Sequence, residues 1–426
     1  MTEQTPSFGI AVGGIRDPAD RASIRRANLG MILRHLQDRG PRSRTVLAKE
    51  TGLPKATISS LVAELSGLGL VREGDFERDT GNIGRPRQSV ELYGHGVCGV
   101  GVEINVDYVA AIALDLCGNI VFNRRTAVDA LGLGPVGTLA AAVALTDEAL
   151  KDLRGQGIEP VGVTVAVPGG TDAGRGSITM SANLGWHDIA VTSALREGLG
   201  DQAPPIGIRN DAQLGTIAEY VALAGTGVRD MLYITGDIGV GGGIVSNGQE
   251  MLGFRGAACE IGHMPFNPEP VLCGCGRRGC WETLIGLGGL LAHAADPDDA
   301  VRDPWTDREQ RLSEIRRRAE AGDERTLAAL REIAASLGYG TAMLVDVLDP
   351  KLVVFGGYFA YLGDFLLEDV QRTLDSRVLE SAVGSASVAR SKHRFTSALR
   401  GGAQLALEAV YQDPSSVTRR GAPAPA

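Results

Sequence analysis

The chain has 426 residues, of which 44% are hydrophobic, a content that predicts two or three domains with substantial cores. Its formal net charge is −9, and by our count residues 1–93 carry +3 and the remainder −12, an imbalance too small to indicate nucleic-acid binding by itself. Six cysteines do not make a disulfide framework, and no stretch shows a signal pattern or the ~18 apolar residues of a membrane span, so we expect a cytoplasmic protein without a membrane partner.

Residues 25–93 show the pattern of a winged helix-turn-helix domain, after a weakly patterned segment, 1–24, that we expect to be a flexible tail. A first helix is predicted from Arg25 to the Gly40-Pro41 pair. A short second helix follows, with Ser43 as its cap and Gly52 at its end. The third helix has an inward stripe at helical spacing, formed by Ile58, Leu61, Val62 and Leu65.

The outward face of the third helix is suited to a DNA major groove. Short or basic side chains lie at its amino-terminal end, namely Lys55, Ala56, Thr57 and Ser60. Two short strands around a Gly-Arg-Pro-Arg tip then predict a wing, in which Arg85 and Arg87 would contact phosphates or the minor groove. The alternative is a small helical domain for protein interaction. We favour double-stranded DNA as the partner because the turn glycine, the helix spacing and the basic tip agree.

A glycine-rich α/β body follows from Gly94. Strands near Gly99, Tyr108 and Ile120 are joined by short turns and predict an antiparallel sheet, and a buried strand follows at 161–167. A similar pattern returns after residue 205, with a strand, a helix, a second strand and a glycine-rich turn at 236–243. The body is therefore predicted to contain two similar lobes.

One imidazole and three thiols fall within eighteen residues, at His263, Cys273, Cys275 and Cys280. This donor set is typical of a tetrahedral Zn²⁺ site, and a site with four protein ligands is structural more often than catalytic. The alternative is that the cysteines are only small buried hydrophobic residues. Glu260 and Glu282 bracket the set, so the metal is predicted to hold the segment between them in one shape.

These motifs resemble those of transcriptional regulators of the ROK family (repressors, open reading frames, kinases). The resemblance covers about residues 25–411 and depends on the zinc pattern, the Glu260-Ile-Gly-His263 run, the Asn210-Asp211 pair and the glycine-rich segment 236–256. It implies an α/β actin-like, sugar-kinase (ribonuclease H-like) body of two lobes behind the winged helix-turn-helix domain. The small lobe would comprise 94–210 plus 385–411, the large lobe with the zinc site 211–384, and a disordered tail 412–426.

The same resemblance implies a sugar pocket formed by Asn210, Asp211, Glu260, His263 and Glu282. The chemistry is compatible, because carboxylates accept hydrogen bonds from sugar hydroxyls and Asn both donates and accepts. His263 would bind zinc through one ring nitrogen and offer the other to a hydroxyl. The alternative for Asn210-Asp211 is a simple helix cap.

The chain departs from the ROK kinases at the first phosphate-binding turn. Those kinases have Asp-x-Gly-Gly-Thr where this chain has Glu103-Ile-Asn-Val-Asp107, so Val106 and Asp107 oppose close approach of a phosphate. We predict no enzyme and no catalytic residue, although Asp211 would be the general base of a kinase. The predicted function is a sugar-responsive repressor of carbohydrate-utilisation genes, acting as a homodimer or homotetramer. The alternatives are an ATP-dependent sugar kinase with an accessory DNA-binding domain, and a regulator controlled by a protein partner.

Overall fold

The computed structural model describes residues 21–77, 87–266, 271–303, 306–379 and 386–417. The amino-terminal domain contains, in chain order, α1 (Arg21–Arg39), β1 (Arg42–Ser43), α2 (Arg44–Thr51), α3 (Lys55–Gly67), β2 (Val71–Glu77) and β3 (Arg87–Leu92). Ser43 caps α2 by accepting a hydrogen bond from the Val46 amide, and Gly52 ends it with a positive φ of 74°, both as predicted. α1 begins at Arg21, so residues 21–24 are helical and do not belong to the predicted tail.

The first lobe is built on a five-stranded sheet with the order β11-β7-β4-β5-β6. β4, β5 and β6 pair antiparallel, as predicted, and β7 and β11 add to β4 in parallel. The elements of this lobe are β4 (Val97–Ile104), β5 (Tyr108–Asp115), β6 (Ile120–Ala127), α4 (Ala130–Gly155), β7 (Glu159–Val167), β8 (Gly170–Asp172), β9 (Ser177–Ser181), β10 (Trp186–Ile189), α5 (Val191–Leu199) and β11 (Ile206–Asn210).

The second lobe repeats the strand order of the first, with a sheet ordered β14-β13-β12-β15-β16. Numbered within each lobe, both sheets have the order 3-2-1-4-5 with the same pairing directions. The elements are α6 (Asp211–Val221), β12 (Met231–Gly236), β13 (Val240–Ser246), β14 (Gln249–Glu250), a 3₁₀ turn (Ile261–His263), α7 (Glu282–Ile285), α8 (Leu287–Ala294), α9 (Arg308–Glu320), α10 (Glu324–Leu348), β15 (Leu352–Gly356), α11 (Gly357–Tyr361), α12 (Gly363–Arg377) and β16 (Ser387–Arg390).

The boundary between the lobes differs from the prediction near residue 385. β16 lies within the stretch assigned to the small lobe, yet it pairs in parallel with β15, matching Val354 to Ala389, and so belongs to the second sheet. The chain returns to the first lobe only with α13 (Ser397–Gln412). The ordered chain also continues through a 3₁₀ turn at Pro414–Ser416, inside the predicted carboxy-terminal tail.

α13 joins the first lobe to the amino-terminal domain. It packs so closely on β4 that a Cβ at Gly101 would lie 2.0 Å from the Leu399 carbonyl oxygen. Its other end enters the core of the winged domain, where Leu407, Val410 and Tyr411 pack with the buried residues of α1, α2 and α3. The winged domain is therefore fixed to the body by a shared hydrophobic core.

In the described part of the chain, α4 alone has the length and apolar composition that could cross a membrane. It is broken near its start, where Gly134 has a φ of 62° ahead of Pro135. Its buried apolar residues, including Ala142, Leu145 and Ala149, belong to the core of the first lobe. These contacts are those of a core helix in a globular lobe.

Candidate functional site

A pocket opens between the lobes, where β11 ends and α6 begins. It contains all five residues predicted for a sugar pocket, Asn210, Asp211, Glu260, His263 and Glu282. They come from three separate parts of the chain, namely the β11–α6 junction, the 3₁₀ turn with the residue before it, and the start of α7. The fold therefore brings together groups that are up to seventy-two positions apart in the sequence.

Asn210 both caps α6 and faces the pocket, so the two interpretations of the Asn210-Asp211 pair are compatible. Its Oδ1 accepts from the Gln213 amide at 3.1 Å, and its Nδ2 donates to the Gly169 carbonyl oxygen at 3.1 Å. Asp211 Oδ1 accepts from the Ala212 amide at 2.8 Å. The capping bonds hold both side chains in fixed orientations at the pocket wall.

Acidic neighbours surround Asp211. Burial, followed by the nearby carboxylates of Glu103, Asp237 and Glu260, raises the pKa of its carboxyl from 3.8 to about 8, and one backbone hydrogen bond opposes this shift. Burial and the charge of Glu282 also raise the pKa of Glu260. The pocket is thus crowded with carboxyl groups, and this crowding favours a proton on Asp211.

The four predicted metal ligands converge beside this pocket. One donor atom from each of His263, Cys273, Cys275 and Cys280 lies within 4.8 Å of all the others. The Sγ atoms of Cys275 and Cys280 are 3.7 Å apart, and Cys273 Sγ is 3.7 Å from His263 Nδ1. A tetrahedral ion with metal–sulfur bonds of ~2.3 Å has edges of about 3.6–3.8 Å, so this cluster could hold a metal.

The metal cluster and the pocket share residues. His263 belongs to the cluster and also lines the pocket. Glu282 Oε1 lies 3.3 Å from His263 Nδ1, and a Cβ at Gly239 would lie 3.1 Å from Glu282 Oε2. Although burial opposes it, hydrogen bonds from Arg277 lower the pKa of the Cys275 thiol and so favour the thiolate that a metal requires.

A polar network crosses between the lobes at the β4–β5 turn, the segment predicted to replace the phosphate-binding turn of kinases. Asn105 Nδ2 donates to Tyr108 Oη at 3.2 Å and to Asp237 Oδ2 at 3.4 Å, and Tyr108 Oη donates to Glu103 Oε1 at 2.7 Å. Arg308 forms an ion pair with Asp237 from the far side. These contacts join the first lobe to the second at the edge of the pocket.

Several pocket residues were not predicted from the sequence. They are single polar side chains at strand ends or in loops, namely Asn105, Ser181, Asn183, Thr235 and Asp237. Asn105 and Asp237 lie in segments that the sequence analysis identified, but no side chain of this set was assigned to the pocket. Three of them, Asn105, Ser181 and Asp237, end a strand or directly follow one. The carboxyl ends of strands are where ligands bind in α/β proteins, and this position is the signal that could have identified them.

The predicted DNA-contacting face of α3 is available to a ligand. Lys55, Ala56 and Ser60 are exposed and Thr57 is half-buried, whereas the inward stripe of Ile58, Leu61, Val62 and Leu65 is buried as predicted. Arg25 donates to Glu64 Oε2 at 2.7 Å and to Ser60 Oγ at 3.3 Å, which braces α3 against α1. Arg85 and the side chain of Arg87 lie outside the described part of the structure.

Comparison with known proteins agrees with this architecture. The sequence profile of the ROK family matches residues 99–409, and that of the MarR family matches residues 30–80. A putative xylose repressor from Caldicellulosiruptor sp. (strain Rt8B.4) is 27% identical over 403 residues, which span 93% of this chain and 100% of that protein.

Solved structures show the same fold. The crystal structure of a ROK family transcriptional regulator, a homologue of the E. coli MLC protein, has a TM-score of 0.73 at 20% identity and covers 92% of this chain and 97% of its own. A ROK family glucokinase from Streptomyces griseus, in complex with glucose and AMPPNP, has a TM-score of 0.62 at 27% identity and covers 73% of this chain and 99% of its own.

The ROK family profile spans most of the chain. The winged domain ahead of the ROK body is the feature that separates this chain from a kinase that consists of the body alone. A winged domain precedes the ROK body and shares a core with it through α13. The relative that matches along almost the whole chain carries the name of a repressor. The chain therefore belongs to the ROK family, as a DNA-binding transcriptional regulator with a MarR-type winged helix domain in front of a two-lobed sugar-kinase-like body.

Proposed function

We propose that this regulator is a cytoplasmic, sugar-responsive repressor of carbohydrate-utilisation genes that binds operator DNA as a homodimer or homotetramer. The observation that carries the proposal is the convergence of Asn210, Asp211, Glu260, His263 and Glu282 in one pocket between the lobes. A sugar presents several hydroxyls, and a site with fixed acceptors discriminates against ligands that leave those acceptors unpaired. The names of the xylose repressors among its relatives support a sugar effector.

We assign Zn²⁺ to the cluster of His263, Cys273, Cys275 and Cys280. Three thiolates and one imidazole at tetrahedral spacing are the donor set that zinc prefers. When bound, the metal supplies a cross-link that fixes the segment between Glu260 and Glu282. His263 is held in one orientation by this set and presents its ring at the pocket wall, where it can donate to or accept from a sugar hydroxyl.

Close helix contacts offer a route from the pocket to the DNA-binding domain. α6 begins at the pocket with Asp211, and a Cβ at Gly401 of α13 would lie 1.8 Å from the carbonyl oxygen of Leu214 in α6. At the other end of α13, a Cβ at Gly30 of α1 would lie 2.0 Å from the Tyr411 carbonyl oxygen, and Arg34 forms an ion pair with Glu408. Backbone contacts this close transmit a shift of α6 to α1, because the helices cannot slide past one another freely.

The polar network at the β4–β5 turn supports a role without catalysis. Asp107 and Asp237 place carboxylates where an ATP phosphate would approach, and Val106 adds a branched side chain at the turn. Asp211 then acts as a hydrogen-bond acceptor for the sugar. The competing function is an ATP-dependent sugar kinase, which the glucokinases among the relatives favour.

Calorimetric titration of the zinc-loaded protein tests the proposal, with glucose, xylose, N-acetylglucosamine and ATP as separate ligands. We expect one sugar to bind, ATP not to bind, and the same sugar to change affinity for an operator selected from random duplex DNA. A coupling of about 1–3 kcal/mol would change that affinity 5- to 150-fold. Sugar-dependent ATP consumption would instead establish the kinase. Operator release by a protein partner, with no sugar effect, would contradict the sugar-responsive mechanism.

A further inference from the structure

The pocket has a strongly one-sided charge. The carboxylates of Asp237, Glu260 and Glu282 line it together with the Asp211 carboxyl group, which keeps its proton up to about pH 8, and among its described lining residues there is no Lys or Arg. The proposed metal centre does not reverse this sign, because one Zn²⁺ and three thiolates sum to −1. Arg277 lies nearby on the metal loop, but it is exposed and outside the lining.

A buried cation beside the pocket, Arg308, is already neutralised. Arg308 lies behind Asp237 with its side chain only 4% exposed, and its guanidinium forms an ion pair with the Asp237 carboxylate. The guanidinium carbon is 4.5 Å from the centre of the Phe395 ring and 5.5 Å from that of Tyr108, so aromatic packing holds it in place. Asp237 therefore lies between this cation and the pocket.

An unpaired atom at this edge needs a donor. Asp237 lines the pocket, and its Oδ1 is a buried carboxylate oxygen without a hydrogen-bond partner among the described residues. A sugar hydroxyl can donate a hydrogen bond to such an oxygen, whereas a phosphate dianion only accepts. A phosphate group placed against Asp237 would leave this acceptor unpaired and would also add like charge to the site.

We propose that the Asp237–Arg308 pair is a charge barrier that restricts the effector to unphosphorylated sugars and excludes both sugar phosphates and nucleotides. This inference rests on the proposed function, since it names the chemical class of the effector in the same pocket. It assigns to Asp237 a role in specificity: the carboxylate repels phosphate and masks Arg308, a residue that would otherwise attract it.

Paired ligands test the barrier. Calorimetry of the zinc-loaded full chain would compare glucose with glucose 6-phosphate, N-acetylglucosamine with its 6-phosphate, and would include inorganic phosphate and ATP. We expect each phosphorylated sugar to bind at least about 100-fold more weakly than its parent. In Asp237→Asn, which keeps the shape and removes the charge, we expect phosphate and sugar phosphate affinity to rise at least about tenfold.

Two control variants separate charge masking from general damage. Asp307→Asn removes a carboxylate that pairs with Arg125 at 3.6 Å and does not line the pocket, so phosphate affinity should stay at the wild-type level. Adding Arg308→Gln to Asp237→Asn should remove the gained phosphate affinity. Zinc content and operator binding, measured on every sample, establish that each variant is folded.

The outcomes distinguish this inference from the proposed function. A sugar phosphate that binds as tightly as its parent would overturn the barrier and leave a sugar-responsive regulator. Failure of Asp237→Asn to gain phosphate affinity, with Arg308 intact, would overturn the role of the pair. If no sugar of either kind binds or changes operator affinity, the proposed function fails, and phosphate binding to the wild-type protein would then also refute the barrier.

Discussion

Asp211 is expected to contribute to sugar binding and to lower the free energy of unfolding of the sugar-free protein as pH rises. Its pKa is raised to about 8 by burial and by neighbouring carboxylates. The folded protein therefore keeps a proton on Asp211 between pH 3.8 and about 8, where the unfolded chain has already lost it. Because the unfolded state binds fewer protons in this window, the free energy of unfolding falls as pH rises, and the loss is complete above pH 8.

The expected change in the free energy of unfolding follows from the pKa shift of Asp211. Each pKa unit corresponds to about 1.36 kcal/mol, so the contribution of Asp211 should decrease by roughly 2–3 kcal/mol between pH 6 and pH 8. Asp211→Asn has no proton to lose. The variant should therefore be more stable than the wild type at pH 8, and its advantage should grow by that amount from pH 6 to pH 8, while sugar binding is lost.

Urea unfolding of the sugar-free, zinc-loaded protein at pH 6, 7 and 8 measures this difference. The range begins at pH 6 because metal affinity falls as protons compete for the ligands at lower pH. Asp298→Asn is the matched control, since Asp298 is exposed on a loop and its removal should change stability equally at each pH. A stability difference between wild type and Asp211→Asn that stays constant with pH would refute the reasoning.

Three further predictions follow from other contacts. Cys275→Ser removes one of four ligands, so metal analysis should show substoichiometric zinc and calorimetry at least about tenfold weaker sugar binding. Gly401→Ala would force α6 and α13 apart, so it should lower the free energy of unfolding in urea by roughly 1–3 kcal/mol and reduce the effect of sugar on operator affinity. In the control Gly288→Ala, the added Cβ has nothing within 4 Å, so the free energy of unfolding should rise by up to ~1 kcal/mol. Lys55→Ala should weaken operator binding and reduce its salt dependence by about one phosphate contact in fluorescence polarisation, with sugar affinity unchanged.

Local spacing was sufficient to predict the parts of the molecule that depend on neighbouring residues. The stripe from Ile58 to Leu65 and the Ser43 cap involve positions close in sequence, and the structure places both as expected. The four residues predicted to bind a metal are also close in sequence, and the structure brings them together. The pair Asn210-Asp211 shows the limit of this reasoning. Sequence presented a helix cap and a pocket as alternatives, but capping uses Asn210 Oδ1 while the pair still faces the cleft.

Contacts between lobes could not be predicted in this way. Asn105 and Asp237 are 132 positions apart and meet only because the two sheets face one cleft. Each residue lies in a segment with a recognisable pattern, but no local spacing relates the two segments, so their contact could not be predicted. The boundary near residue 385 was wrong for a related reason, since the parallel pairing of β16 with β15 depends on the second sheet as a whole.

The shared core between the winged domain and the body determines how an effector can act on DNA. A DNA-binding domain on a flexible linker would not respond to a small change in lobe closure, because the linker would absorb it. Here Leu407, Val410 and Tyr411 of α13 lie inside the winged-domain core.

α13 has 16 residues, so it is about 24 Å long, and a tilt of about 5° at the α6 end moves the other end by about 2 Å. In a dimer that binds half-sites separated by about 34 Å or a multiple of it, such a displacement changes the fit of both α3 helices at once, because each is fixed to its own α13. In the mechanism we propose, sugar binding would therefore need only a small closure of the lobes to alter operator affinity.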